Sequence, residues 1–73
     1  MGVRQFDARG MKCPLPTLKM LSISREMKPG EILEVIADCA SFEADVRKFC
    51  EATQRALLLV KPEGNAKRVQ VRI

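Results

Sequence analysis

The residues with the clearest capacity for chemistry are the three cysteines, Cys13, Cys39 and Cys50, and their surroundings differ. Cys13 stands in the run Arg9-Gly10-Met11-Lys12-Cys13-Pro14-Leu15-Pro16. Pro14 suits the first turn of a helix: its fixed φ is already helical, and the N–H it lacks would find no helical partner there. Pro16 still falls within that turn. Cys13 is therefore predicted at a helix N-terminus, where partial positive charge and unpaired N–H groups favour a thiolate. Lys12 adds a full positive charge next door. A sulfur so placed should titrate below the ~8.5 of a free cysteine and act as a nucleophile near neutral pH. The competing reading is a small apolar residue that happens to precede a helix, since most buried cysteines are inert.

The other two cysteines read differently. Cys39, in Ala37-Asp38-Cys39-Ala40-Ser41, precedes a second predicted helix and is a candidate second reactive or resolving thiol. The Asp38 carboxylate beside it works against a lowered pKa. Cys50 falls at the edge of an apolar helix face and reads as packing. An odd number of cysteines without framework spacing predicts free thiols in a reducing compartment. The chain has no histidine, which removes the Cys-His catalytic pair and the usual zinc ligands. No two cysteines form a CxxC, so no metal site is expected.

The elements that must position Cys13 alternate along the chain. Val3 to Phe6 reads as a strand and Asp7 to Gly10 as a turn. A first helix is predicted from about Pro14 to Met27, stopped by Lys28-Pro29-Gly30. Glu31 to Ala37, rich in Ile, Leu and Val, is a second strand. A second helix follows Asp38-Cys39-Ala40-Ser41 and runs to about Gln54. Arg55 to Lys61 is a third strand, Pro62 to Asn65 a hairpin turn, and Lys67 to Ile73 a fourth strand. The order βαβαββ predicts an α/β fold: a two-layer sandwich with a mixed four-stranded sheet and two helices on one face. The first two strands must be parallel, joined by a right-handed crossover. Val69, Val71 and Ile73 alternate with Arg68, Gln70 and Arg72, which are expected to face water.

Composition bounds the function. Seventy-three residues, 47% apolar and 30% charged, make one soluble domain spanning residues 1–73 with a modest core. No stretch approaches the ~20 apolar residues of a membrane span. Residues 1–5 lack the apolar segment of a signal peptide, so a cytoplasmic location is expected. The net charge of +4 invites a nucleic-acid reading. However, the 13 basic residues are interleaved with nine acids, and the three aromatics are all Phe, with no Tyr or Trp for base stacking. Direct nucleic-acid binding is not expected, and a mildly basic surface suits an acidic protein partner or a small anion.

The two helices differ in pattern. Phe42, Val46, Phe49, Cys50 and Thr53 share one arc of the second helix. The first helix carries two competing stripes. Thr17, Met20, Ile23, Ser24 and Met27 form one face, and Leu15, Leu18 and Leu21 the opposite one. A two-layer fold cannot cover both faces. Met20, Ile23 and Met27 are therefore predicted as core, and Leu15, Leu18 and Leu21 as an exposed docking stripe close to Cys13. Scattered surface leucines are the bland alternative.

Two blocks carry a family resemblance. Phe6-Asp7-Ala8-Arg9-Gly10-Met11-Lys12-Cys13-Pro14-Leu15-Pro16 resembles the N-terminal signature of the TusA/SirA/YedF family of small sulfur-transfer proteins. Met27-Lys28-Pro29-Gly30-Glu31-Ile32-Leu33-Glu34-Val35-Ile36-Ala37-Asp38 resembles its second characteristic block. The resemblance implies the family's βαβαββ sandwich, similar to the C-terminal domain of translation initiation factor three. It implies that Cys13, in the Cys-Pro-x-Pro motif with Pro14 and Pro16, accepts sulfur as a persulfide and hands it on. Asp7, Arg9, Gly10 and Lys12 fall in the matching block as supporting residues. Implied donors are cysteine desulfurases or rhodanese-like enzymes, and implied acceptors include DsrE-type proteins. The contexts are tRNA thiolation, molybdenum-cofactor assembly and oxidative sulfur metabolism. Leu15 stands where tRNA-thiolation members often carry Glu, and Cys39-Ala40 where many members carry Asp-Pro.

A persulfide relay needs an exposed, deprotonated sulfur and a docking surface, and no general base if partners supply one. The expected protein is thus a carrier working with partner enzymes. It needs no cofactor beyond the covalent sulfur on Cys13, and it is expected to be a monomer. Two other classes fit the residues: a non-catalytic interaction module docking through Leu15, Leu18 and Leu21, and a thiol redox sensor using Cys13 and Cys39.

Overall fold

The computed structural model describes residues 2–73. Strand β1 (Val3–Asp7) leads to helix α1 (Leu15–Ser24), strand β2 (Ile32–Ala37), helix α2 (Phe42–Thr53), strand β3 (Ala56–Glu63) and strand β4 (Ala66–Arg72). The four strands form one mixed sheet in the order β1-β2-β4-β3. β1 pairs parallel with β2, while β4 runs antiparallel to both β2 and β3. The expected α/β architecture is the one observed.

Pleat and register decide which residues meet the helices. Leu33 pairs with Val71, which pairs with Leu57; Val35 pairs with Val69, which pairs with Val60. These rows form the helix-side face. Leu33, Val35, Val69 and Val71 are fully buried there with Met20 of α1 and Phe42 and Val46 of α2. Burying a side chain of this kind contributes roughly 1.5–3 kcal/mol. No helix among the described residues is long and apolar enough to cross a membrane.

Several expected boundaries move. α1 ends at Ser24, not Met27. Ile23 and Met27 are only partly buried, but both pack against the core. The β3–β4 turn is tighter than expected: pairing continues to Glu63 opposite Ala66, leaving Gly64-Asn65 to turn the chain. Gly64 takes φ +63°, a value that favours glycine in a two-residue hairpin.

The solvent-side expectation for β4 is corrected. Arg72 is exposed, but Arg68 and Gln70 are half-buried. Both reach across the sheet to Glu34, which is only 7% exposed in the middle of β2. Arg68 Nη1 donates to Glu34 Oε2 at 2.9 Å, Gln70 Nε2 to Oε1 at 2.7 Å, and Gln5 Nε2 to Oε2 at 2.8 Å. The Gln70 bond leads a set that holds the Glu34 carboxyl below the usual range, against the opposing effect of burial. A buried carboxylate is stable only with such partners, so the alternating polar residues are drawn down onto the sheet.

Candidate functional site

Because β1 and β2 run parallel, both end on the same edge of the sheet. The segments that leave them, residues 8–14 and 38–41, meet at that edge, where open α/β sheets place their sites. Two hydrogen bonds tie the first of these segments to the end of β2 and to the second segment. Ala8 N donates to Ile36 O at 2.7 Å, and Gly10 N donates to Asp38 Oδ1 at 3.0 Å. Gly10 holds φ +86°, a conformation that L side chains rarely adopt.

The supporting residues expected around the sulfur form this frame. Arg9 Nε and Nη2 donate to Asp7 Oδ1 and Oδ2 at 3.0 and 2.8 Å, and Arg9 N also donates to Oδ1. The Arg9 guanidinium accordingly holds the Asp7 carboxyl down at about 2. Asp7 and Arg9 thus satisfy each other and fix the chain entering the loop. Asp38 is likewise committed to Gly10. Lys12 is exposed, and its carbonyl accepts from Leu15 N at 2.8 Å.

Cys13 is exposed one residue before the N-cap of α1, which is Pro14, so the helix begins one residue later than expected. Pro16 lies in the first turn as expected, and it is buried. The end of α1 has no side-chain cap and no acidic residue in its first turn. Pro14 and Pro16 have no N–H, and Leu15 N is already bonded, so Thr17 supplies the N–H left at this end. The prolines stiffen the entry but remove donors. Few backbone donors are therefore left at this end of α1, and its dipole is the main thing it offers an anion.

Cys39 is brought against Cys13, and the two are paired as a disulfide with a Cα–Cα distance of 5.6 Å. This corrects the expectation that the cysteines are free thiols. The pair is 26 residues apart in sequence. Its closeness comes from the parallel pairing of β1 and β2, which no cysteine spacing displays. Cys50 is free and buried as expected, and burial pushes its thiol up.

The sequence reading missed Asp45. An oxygen of its carboxylate lies within 4.8 Å of both sulfurs. Ser41 Oγ donates to Asp45 Oδ2 at 2.8 Å and sits 3.6 Å from Cys39 Sγ. The missed signal was the i,i+4 spacing of Ser41 and Asp45 at a helix start. Cys13, Cys39 and Asp45 together offer three donor atoms, but disulfide sulfurs are not the thiolates that bind metals. Beside them, a shallow groove of ≈ 320 Å³ runs between the helices, lined by Pro14, Thr17, Asp45, Lys48, Phe49 and Ala52. Thr17 Oγ1 is buried in it without a hydrogen-bond partner among the described residues.

A sequence model of a family described as sulfurtransferase TusA matches residues 4–73. The chain belongs to that family. Its role is accordingly that of a TusA-type sulfur carrier or sulfurtransferase. The exposed leucine stripe expected on α1 of this TusA-family chain is only partly present. Leu15 and Leu18 are 48% and 55% exposed beside Cys13. Leu21 is instead partly buried and packs against the core, which corrects its place in the stripe. It lies about one turn further along α1 than Leu18.

Proposed function

We propose that the protein carries sulfur as a persulfide on Cys13, in its reduced state, and relays it to a protein acceptor. The observation that carries this reading is the exposed Cys13 at the uncapped start of α1, in a chain that matches a sulfurtransferase family over nearly its whole length. An anionic sulfur there lies off the positive end of α1, whose own first turn holds no acid, while the Asp45 carboxylate of α2, within 4.8 Å, opposes it and keeps the cargo transferable. The fitting donors are a cysteine desulfurase or a rhodanese-like enzyme, and the fitting acceptor is a DsrE-type protein that docks over Leu15 and Leu18. The supporting residues act indirectly: Asp7, Arg9 and Gly10 shape the loop, and Pro14 and Pro16 limit movement of the sulfur. No cofactor is required, because the cargo is covalently held.

The test is loading of the reduced protein by rhodanese with thiosulfate, read by intact mass after alkylation. Cys13→Ser should fail to gain the mass of a sulfur atom, and Cys50→Ala should still gain it. Full loading of Cys13→Ser overturns the assignment. The thiol redox sensor is the second reading, and the Cys13–Cys39 pairing favours it. It predicts a disulfide that forms with oxidants and a protein that no sulfur donor loads.

A further inference from the structure

We propose that Cys39 is a resolving thiol that displaces the sulfur loaded on Cys13 as hydrosulfide, closing the Cys13–Cys39 disulfide. The proposal rests on the reading of Cys13 as the sulfur acceptor and adds a second fate for its cargo.

Reach is the first support. The two Cα atoms are 5.6 Å apart, inside the roughly 4.4–6.8 Å span of ordinary disulfides, so the pair closes without moving the backbone. Cys39 meets the Sγ of Cys13 itself, which is the inner sulfur of a persulfide. Attack at that atom ends in the disulfide found here.

A proton path is the second support. Ser41 has one hydroxyl proton and gives it to the Asp45 carboxylate, which can only accept. With Cys39 reduced, the Ser41 oxygen 3.6 Å away is therefore an acceptor for the Cys39 S–H. Proton loss from the thiol along this line produces the attacking thiolate. Asp45 also places a negative charge within 4.8 Å of both sulfurs, which favours departure of an anion from the site.

The step balances without an outside oxidant. The Cys39 sulfur attacks Cys13 Sγ, forming the Sγ–Sγ bond. The bond from Cys13 Sγ to the outer sulfur breaks, and its electron pair leaves with the outer sulfur. The proton taken from Cys39 through Ser41 to Asp45 is returned by the Asp45 carboxyl, within 4.8 Å of both sulfurs, to that leaving sulfur, and Asp45 is a carboxylate again as hydrosulfide departs. A persulfide anion and a thiol become a disulfide and hydrosulfide: the Cys39 sulfur is oxidised, the outer sulfur is reduced, and Cys13 Sγ exchanges one S–S bond for another. A dithiol reductant of the thioredoxin type must then reopen the pair before reloading. A loaded chain thus either meets its acceptor or empties itself, and an emptied chain stays closed until reduced.

The experiment uses the whole chain, reduced, freed of reductant, and loaded with catalytic rhodanese and limiting thiosulfate. Sulfide release and intact mass are followed together, and circular dichroism checks the fold of each variant. The expected wild-type result is about one equivalent of sulfide per sulfur delivered, with loss of the mass of two hydrogens, at a rate independent of protein concentration. Cys39→Ser and Cys39→Ala should release no sulfide and keep the added sulfur on Cys13. Asp45→Asn, a positioning variant, should slow release and move its pH profile, with the disulfide still the end product. Wild-type protein that holds its added sulfur as long as the Cys39 variants overturns the resolving role and leaves the carrier reading standing. Release that rises with protein concentration also overturns it, because the attack would then come from a second chain. Loading of Cys13→Ser would instead overturn the carrier reading itself.

Discussion

The two helices pack on the same sheet face and each is preceded by a cysteine at the same edge, yet they are built in opposite ways. α2 is one-sided: Phe42, Val46, Phe49 and Cys50 are buried and the rest of its surface is largely polar. Its first turn carries Glu43 and Asp45, which complement the helix dipole. Glu43 is further tied to Lys67 at 2.8 Å and Arg47 at 2.9 Å, and the Lys67 bond leads in holding its carboxyl below the usual range. α1 is apolar nearly all round, buries Pro16, Met20 and Ser24, and leaves its first turn free of acid. The difference teaches a division of labour. α2 spends its N-terminus on its own stability and carries the core. On the proposed function, α1 keeps its positive end for a sulfur anion and its outer leucines, Leu15 and Leu18, for a partner.

Truncating the anchor of α2 should have the largest effect. Phe42 is 1% exposed, and Phe42→Ala should cost about 3–5 kcal/mol, read as a fall in the denaturant midpoint at unchanged slope. A loss near zero would mean that α2 is not the core helix. Within α1, Leu21 and Leu18 should separate. Leu21→Asp forces a carboxylate against the core and should lose about 1–3 kcal/mol in the same assay. Leu18→Asp, on the exposed side, should change stability by no more than about 0.5 kcal/mol while impairing transfer from Cys13 to an acceptor protein. Equal destabilisation by both would erase the proposed outer face of α1.

The smallest effects sharpen the electrostatic contrast. In the reduced protein, alkylation of Cys13 should show an inflection below ~8.5, because the helix end and Lys12 favour the thiolate. Lys12→Glu should move the inflection upward. Asp45→Asn should move it downward by removing a negative charge near the sulfur, yet should cost α2 about 0.3–1 kcal/mol of dipole stabilisation. These opposite signs from one substitution distinguish Asp45 as a charge at both places. An inflection unmoved by either variant would show that the two helix ends do not differ in the way proposed.

Much of the fold was legible because local rules agreed. The six elements, the parallel β1–β2 pair, the core stripe of α2 and the buried Cys50 follow from apolar periodicity, Pro and Gly punctuation and the length of the α1 crossover. Within the site, the Cys13-Pro14-Leu15-Pro16 entry to a helix was legible for the same reason: each residue acts through its own backbone or its immediate neighbour. Leu21 was misplaced because angular position on a helix does not say which parts of the core reach it at each point along the axis. Arg68 and Gln70 were misplaced because alternation predicts the face of a strand, but the depth of a polar side chain depends on what it must neutralise. Here that is Glu34, from a strand in a different part of the chain.

By itself, then, the sequence determined the element order, the buried stripe of α2 and the presence of a cysteine at a proline-stiffened helix start. Tertiary structure alone decided that Cys39, Ser41 and Asp45 stand beside that cysteine. The physical reason is the parallel pairing of β1 and β2. It carries the two loops that follow them to one edge of the sheet and brings together sulfurs 26 residues apart, a contact set by register and not by any local pattern.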